Sequence, residues 1–316
     1  MRIIFLGTPN FAVSVLENLI NSNHEIVAVV TQPDKPTGRG QKLQFSVVKE
    51  FALNNNLKVL QYKKIKEPYA IEELKNLKAD LMITAGYGQI LSQEVLNITP
   101  LGVYNVHGSL LPKYRGASPV QTAIINGETI TGVTIMKTDI GMDTGDIILQ
   151  QEIVVLKDDT AGTMLEKMGK IGGKLLVEAL KIIENGKLQS LLKKQDNELA
   201  TKTKMIKKED ALIDFNKTPQ EVANLVRGLN PEPIAYTYLE GKKLDVLKAS
   251  VAEYNLDYSG YENGQVVLAS PKQGLFVKAS GGAVRLEEIK LEGKNRVNDK
   301  AFLNGKKILT GTRLGE

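Results

Sequence analysis

Residues 105–119 read NVHGSLLPKYRGASP and hold the densest set of groups in the chain able to do polar chemistry. The segment follows an apolar strand pattern at 102–106, so it begins at the carboxyl end of a strand. Open α/β sheets bind their ligands at that edge. Asn105 and His107 are two residues apart, and a strand turns both to one face. Both side chains end in hydrogen-bond donors. Two such donors side by side polarise a carbonyl and stabilise the oxyanion of a tetrahedral intermediate. A lone histidine is more often a hydrogen-bonded structural residue. The shared face with Asn105, beside a Gly-rich loop, weighs against that reading here.

Two further segments supply charge. Residues 139–146, DIGMDTGD, carry three carboxylates in a Gly-rich loop. One of them within reach of His107 would favour the imidazolium and accept a proton. Spacing alone leaves the choice among Asp139, Asp143 and Asp146 open. Residues 32–42, QPDKPTGRGQK, leave the end of another strand and overhang the same rim. Pro33, Pro36, Gly38 and Gly40 argue against regular structure there, and Lys35, Arg39 and Lys42 make the loop basic. Arg39, between two glycines, is free to approach a phosphate closely.

Several chemistries are excluded. The chain has no Cys, so disulfides, thiolate nucleophiles, Fe–S clusters and Cys-type zinc sites are out. His24 and His107 are the only histidines, which leaves a hard oxygen site as the one metal option, and no metal is expected. The first strand-to-helix turn, Gly7-Thr8-Pro9-Asn10, lacks the Gly-x-Gly-x-x-Gly pattern of a dinucleotide site, and Pro9 removes an N–H there. No apolar run reaches the roughly 18 residues of a membrane span, and the start MRIIFLGTP enters a strand pattern at once. A cytoplasmic protein without a membrane partner is expected.

The elements that must position these groups follow from periodicity. The chain has 316 residues, 42% hydrophobic and 24% charged, an ordinary globular composition with room for about two domains. Strand patterns at 2–7, 25–31, 57–60, 80–85, 102–106, 131–138 and 146–154 alternate with helical patterns at 10–22, 45–55, 69–78, 117–126 and 161–185. Runs apolar on both faces imply a mostly parallel sheet covered by helices on both sides. Residues 187–208 are Lys-rich with weak periodicity and read as a basic linker. A helix at 218–229 opens with Thr218-Pro219, a capping residue before a proline in the first turn. Short strands at 236–239, 243–252, 264–269, 274–279 and 283–292, then a helix at 299–304, suggest a small OB-like β-barrel. The net charge of +5 lies wholly beyond residue 186, which mildly favours a polyanionic partner.

Together these segments resemble the methionyl-tRNA formyltransferase family. The pattern Asn-x-His-Gly-Ser-Leu-Leu-Pro is met at 105–112, Tyr-Arg-Gly-Ala-x-Pro at 114–119, and Met-Asp-Thr-Gly-Asp at 142–146. Phe-x-Gly-Thr-Pro-x-Phe-Ala is met at 5–12, and the Gly-Arg-Gly loop at 32–40. Ala85-Gly86-Tyr87-Gly88 departs from the family's usual Ala-Tyr-Gly. The resemblance implies a Rossmann-like catalytic domain over 1–186, a basic linker over 187–208 and an OB-like tRNA-binding domain over 209–316. It implies transfer of a formyl group from 10-formyltetrahydrofolate to the α-amine of methionine on initiator methionyl-tRNA. In that reaction Asn105 and His107 hold the oxyanion, and Asp143 keeps His107 charged and helps move the amine proton. Ser109, Leu110, Leu111 and Pro112 line the folate site, and Arg39 reaches the tRNA acceptor end. No metal, nicotinamide or protein partner is implied.

Two other readings compete. One keeps the folate chemistry with a small amine, such as an amino-sugar nucleotide or a purine precursor; it needs neither the Gly38-Arg39-Gly40 loop nor a second domain. The other is an RNA-binding barrel without catalysis. Residues 264–292 offer only Phe276 for base stacking, which supports it poorly.

Overall fold

The computed structural model describes residues 1–37, 42–253 and 257–315. They form two compact units. The first comprises residues 1–119, 130–154 and 165–203; the second comprises 120–129, 155–164 and 204–316. The Lys-rich stretch from 187 to 203 therefore packs as part of the first unit.

A seven-stranded sheet organises the first unit. Its strands run in the order Ile147–Val154, Ile130–Lys137, Val103–His107, Leu81–Ala85, Arg2–Gly7, Glu25–Thr31, Val59–Gln61. The last five are mutually parallel, and the first two are antiparallel additions. From Arg2–Gly7 the chain builds outward to one side, then returns to place Leu81–Ala85 on the other. The topological switch point thus lies between residues 7 and 85, where sheets of this kind open a crevice. Ile3, Ile4, Phe5 and Leu6 are all fully buried, as are Leu81, Met82 and Ile83. Consecutive burial is possible only because both faces are covered, and each such side chain contributes about 1.5–3 kcal/mol.

The second unit is a closed antiparallel barrel with helices. Its strands follow the order Ala235–Leu239, Lys242–Val251, Gly282–Leu291, Gly274–Ala279, Val266–Ser270. Residues 311–315 close it. On one side Leu314 bridges Leu239 and the Gly315 N–H donates to the Tyr238 carbonyl; on the other Arg313 bridges Gln265 and the Leu314 N–H donates to the Gly264 carbonyl. Leu244, Val246, Leu275, Val277, Val284 and Leu286 fill the interior by alternation along the strands, and a register shift between Leu286 and Ile289 turns Ile289 inward as well. The helix Pro219–Gly228 starts with a full capping box: the Glu221 N–H donates to Thr218 Oγ1 and the Thr218 N–H donates to the Glu221 carboxylate.

One expectation needs correction. The 32–42 loop does contain regular structure, because Lys35–Thr37 and Lys42–Gln44 pair as a short antiparallel hairpin. Pro36 is tolerated because a two-stranded ribbon leaves one edge of each strand free of partners, so a missing N–H costs nothing there. Arg39 lies outside the described residues.

Candidate active site

The site is assembled at the carboxyl edge of the first unit's sheet. Asn105 and His107 close the strand Val103–His107, with Val106 between them turned to the opposite face. That opposite face is clamped by the helix Ala161–Glu184. A Cβ at Gly172 would sit 2.9 Å from Val106 and 3.1 Å from Val133, so only glycine lets the helix backbone come this close. The strand tip is thereby fixed from behind while the polar pair faces forward.

Hydrogen bonds set the orientation of both groups. Parallel pairing puts Thr84 beside Asn105, and the Thr84 hydroxyl donates to Asn105 Oδ1 at 2.8 Å. The amide nitrogen is left to point outward, 3.4 Å from Asp143 Oδ1. His107 Nε2 lies 3.1 Å from the Tyr114 carbonyl, which only accepts, so Nε2 carries a proton. Its other nitrogen, Nδ1, lies 3.6 Å from the same Asp143 Oδ1. Asn105, His107 and Asp143 therefore converge on one oxygen, and the side chains of His107 and Asp143 keep only 6% and 16% of their surface exposed.

The structure also separates the three aspartates. Asp139 folds onto its own loop, accepting from the Gly141 N–H at 3.1 Å and the Thr144 hydroxyl at 2.7 Å. Asp146 gives its backbone carbonyl to the Lys137 N–H. Only Asp143 is aimed at the strand tip. Its second oxygen accepts from the Gly116 N–H at 2.8 Å, which joins the 139–146 loop to the loop after His107. Among the described residues no group of three or more His, Cys, Asp or Glu is arranged to hold a metal.

Within 109–112 the roles divide. Ser109 is fully buried and donates to the Lys113 carbonyl, and its own carbonyl accepts from Thr134. Leu111 packs against Met136 and Ile147. Leu110 and Pro112 are the two that retain exposed surface. The departing segment at 85–88 laces the strand ends together. Gly86 and Gly88 take positive φ, and the Tyr87 carbonyl accepts from Thr8 at 3.2 Å and from Gln32 at 3.0 Å. Burial pushes the Tyr87 hydroxyl above its ordinary range. At the root of the basic hairpin the Lys49 ammonium, bonded to Asp34, holds that carboxyl below the usual carboxylate range.

Sequence reasoning missed three supports: Thr84, Gly116 and Gln195. Thr84 left a signal, a polar side chain inside a strand otherwise buried on both faces. Gln195 left none, since it stands in a polar, aperiodic stretch. Gly116 has φ +118°, and a Cβ there would meet the Thr203 carbonyl oxygen at 2.4 Å. Gly116→Ala is expected to strain the backbone by about 1–3 kcal/mol and displace the N–H that holds Asp143. A misplacement near 1 Å lowers turnover about 100-fold. Thermal unfolding and steady-state kinetics on the purified variant check both parts.

Comparison with known proteins now decides the family. Residues 1–180 match the model for formyl transferases, and residues 205–307 match the model for the formyl transferase C-terminal domain. The methionyl-tRNA formyltransferase of Acetivibrio thermocellus is 46% identical over 316 residues, covering 100% of both chains. That of Geotalea daltonii is 43% identical, covering 100% of this chain and 98% of its own. The chain belongs to the methionyl-tRNA formyltransferase family. It is accordingly a formyl-transferring enzyme. Members of the wider fold include an N-formyltransferase from Helicobacter canadensis, solved with folinic acid and dTDP-3-aminofucose. It has a TM-score of 0.62 at 22% identity, covering 90% of this chain and 98% of its own. HypX from Aquifex aeolicus, solved with tetrahydrofolic acid, has a TM-score of 0.62 at 17% identity, covering 99% of this chain and 50% of its own. Among the described residues no helix is long and apolar enough to cross a membrane.

Proposed function

We propose that Asn105, His107 and Asp143 carry the transfer of a formyl group from 10-formyltetrahydrofolate to the α-amine of methionine on initiator methionyl-tRNA. The observation that carries this reading is the convergence of Asn105 Nδ2 and His107 Nδ1 on Asp143 Oδ1, at 3.4 and 3.6 Å. Two donors and one acceptor in a single cluster match the demands of acyl transfer to an amine. The amine nitrogen forms a bond to the formyl carbon, and the carbonyl electrons shift onto oxygen. Asn105 Nδ2 donates to that oxygen, and so does His107 Nδ1 when the ring carries its second proton beside Asp143; such fixed donors need no reorganisation as charge develops. Asp143 accepts the ammonium proton and returns it to the departing folate nitrogen as the old carbon–nitrogen bond breaks.

Leu110 and Pro112, with the 109–112 backbone, line the donor site. Ile140 and Met142 are 63% and 61% exposed on the loop that carries Asp143, an apolar surface suited to a methionyl side chain beside the reacting amine. Arg39 reaches the acceptor end of the tRNA. The exposed lysines 193, 194, 202, 204, 207 and 208, with the barrel domain, contact its phosphates. In this reading 1–186 is catalytic, the basic stretch at 187–203 packs with it, and 209–316 binds tRNA. The reaction takes place in the cytoplasm, where translation initiation uses the product.

An acceptor assay tests the reading. With 10-formyltetrahydrofolate as donor, methionyl initiator tRNA is expected to be formylated far faster than methionyl elongator tRNA, free methionine or an amino-sugar nucleotide. Faster formylation of a small amine would replace this assignment with a small-molecule transferase.

A further inference from the structure

We infer that Gln195 is a positioning residue for the reaction, acting through Asp143; the inference rests on the role proposed above for that carboxylate. Asp143 has φ +54°, a left-handed backbone that L side chains rarely adopt, so its neighbours must hold it there. Gln195 does so with its whole carboxamide. Both protons of Nε2 are spent on the loop, one on the Asp143 carbonyl at 2.8 Å and one on the Gly145 carbonyl at 2.7 Å. Its Oε1 accepts from Arg115 Nε at 2.9 Å. Only this orientation works, since two carbonyls can only accept and a guanidinium can only donate.

The contact joins two loops that each reach the reacting groups. Arg115 is buried at 5% exposure and donates a second time to Asn197 Oδ1 at 3.0 Å. It stands between Tyr114, whose carbonyl faces His107, and Gly116, whose N–H holds Asp143. The chain carrying Gln195 is itself strapped down on both sides. Lys193 pairs with Ile147, the Tyr114 N–H donates to Thr201 Oγ1 at 2.8 Å, and Lys202–Thr203 run parallel to Arg115–Gly116. The stretch that charge and composition mark as a connection is a clamp across the catalytic loops, with Gln195 at its centre. In the sequence of events, Gln195 makes no contact with the reacting atoms; it sets where the Asp143 carboxylate points.

The test is a double-mutant cycle on the full chain, with circular dichroism and thermal unfolding used to express rates per folded enzyme. Gln195→Ala is expected to lower kcat roughly 10- to 100-fold, the cost of a misplaced catalytic group, with KM for methionyl initiator tRNA and for the formyl donor changed less than about threefold. Gln195→Glu keeps an acceptor for Arg115 but loses both donors to the loop, and is expected to show the same loss in kcat. Gln195→Asn, which keeps the carboxamide on a shorter stem, is expected to recover part of it. In an Asp143→Asn background, Gln195→Ala is expected to cost nothing further, because residues acting as one unit are not additive. The same loss in both backgrounds would overturn the inference while leaving Asp143 in its role, and so would unchanged kcat in both Gln195→Ala and Gln195→Glu. Full activity in Asp143→Asn alone would remove the reading of Asp143 and this inference with it.

Discussion

Asp143→Asn is expected to lower kcat by about 10²–10⁴-fold while the protein stays folded, the usual contribution of a general acid–base group. In barrier terms that is about 3–5 kcal/mol. The substitution is nearly isosteric and keeps an oxygen to accept from the Gly116 N–H, so the contact at 2.8 Å survives. What it removes is the negative charge and the proton-accepting oxygen beside Asn105 and His107. Asn105→Ala and His107→Ala attack the same cluster from the donor side, each costing roughly 2–4 kcal/mol of barrier. Pre-steady-state formylation of methionyl initiator tRNA, with unfolding midpoints as the control, measures all three. A kcat for Asp143→Asn within about threefold of the parent would show that the amine proton leaves by another route.

The second large effect is on the barrel. Asp299→Ala is expected to destabilise the second unit by about 3 kcal/mol, the low end of what breaking a buried ion pair costs. The Asp299 side chain is 2% exposed and accepts from Arg285 Nε at 2.7 Å and Nη2 at 3.2 Å, from the Leu275 N–H at 3.1 Å and from the Lys300 N–H at 2.8 Å. It thereby ties the strands Gly274–Ala279 and Gly282–Leu291 to the helix Asp299–Gly305. Removing it strands the buried Leu275 N–H and takes from Arg285 its buried carboxylate partner. Arg285 keeps 25% of its side-chain surface in water, which offsets part of the loss and is the reason for choosing the low end. Urea unfolding followed by a probe in the barrel measures the change. Asp299→Asn, still able to accept from Leu275, is expected to lose less. A loss below about 1 kcal/mol for Asp299→Ala would mean that water replaces these contacts readily.

Much of this architecture was legible from local pattern. The strand Leu81–Ala85 and its neighbours announce themselves as runs buried on both faces, and the helix Pro219–Gly228 by Thr218, Pro219 and Glu221 at capping positions. The pairing of Asn105 with His107 followed from the two-residue repeat of a strand, a property of the backbone that holds wherever the strand lies. The hairpin at Lys35–Thr37 and Lys42–Gln44 escaped the same reasoning. Proline argues against a central strand but says little against a free edge.

What the amino-acid order settled by itself is what depends on neighbours in the chain: helical and strand periods, caps, turn residues, and the same-face relation of residues 105 and 107. Composition added the absence of thiol chemistry. Spacing left Asp139, Asp143 and Asp146 open and the family motif pointed to Asp143; tertiary structure set Asp143 beside Asn105, placed Thr84 against Asn105, and drew Gln195 onto the carbonyls of Asp143 and Gly145. Those contacts span 21 to 52 positions of sequence. No local period encodes a contact between residues that meet only after the sheet has closed and the 187–203 stretch has folded back across its edge.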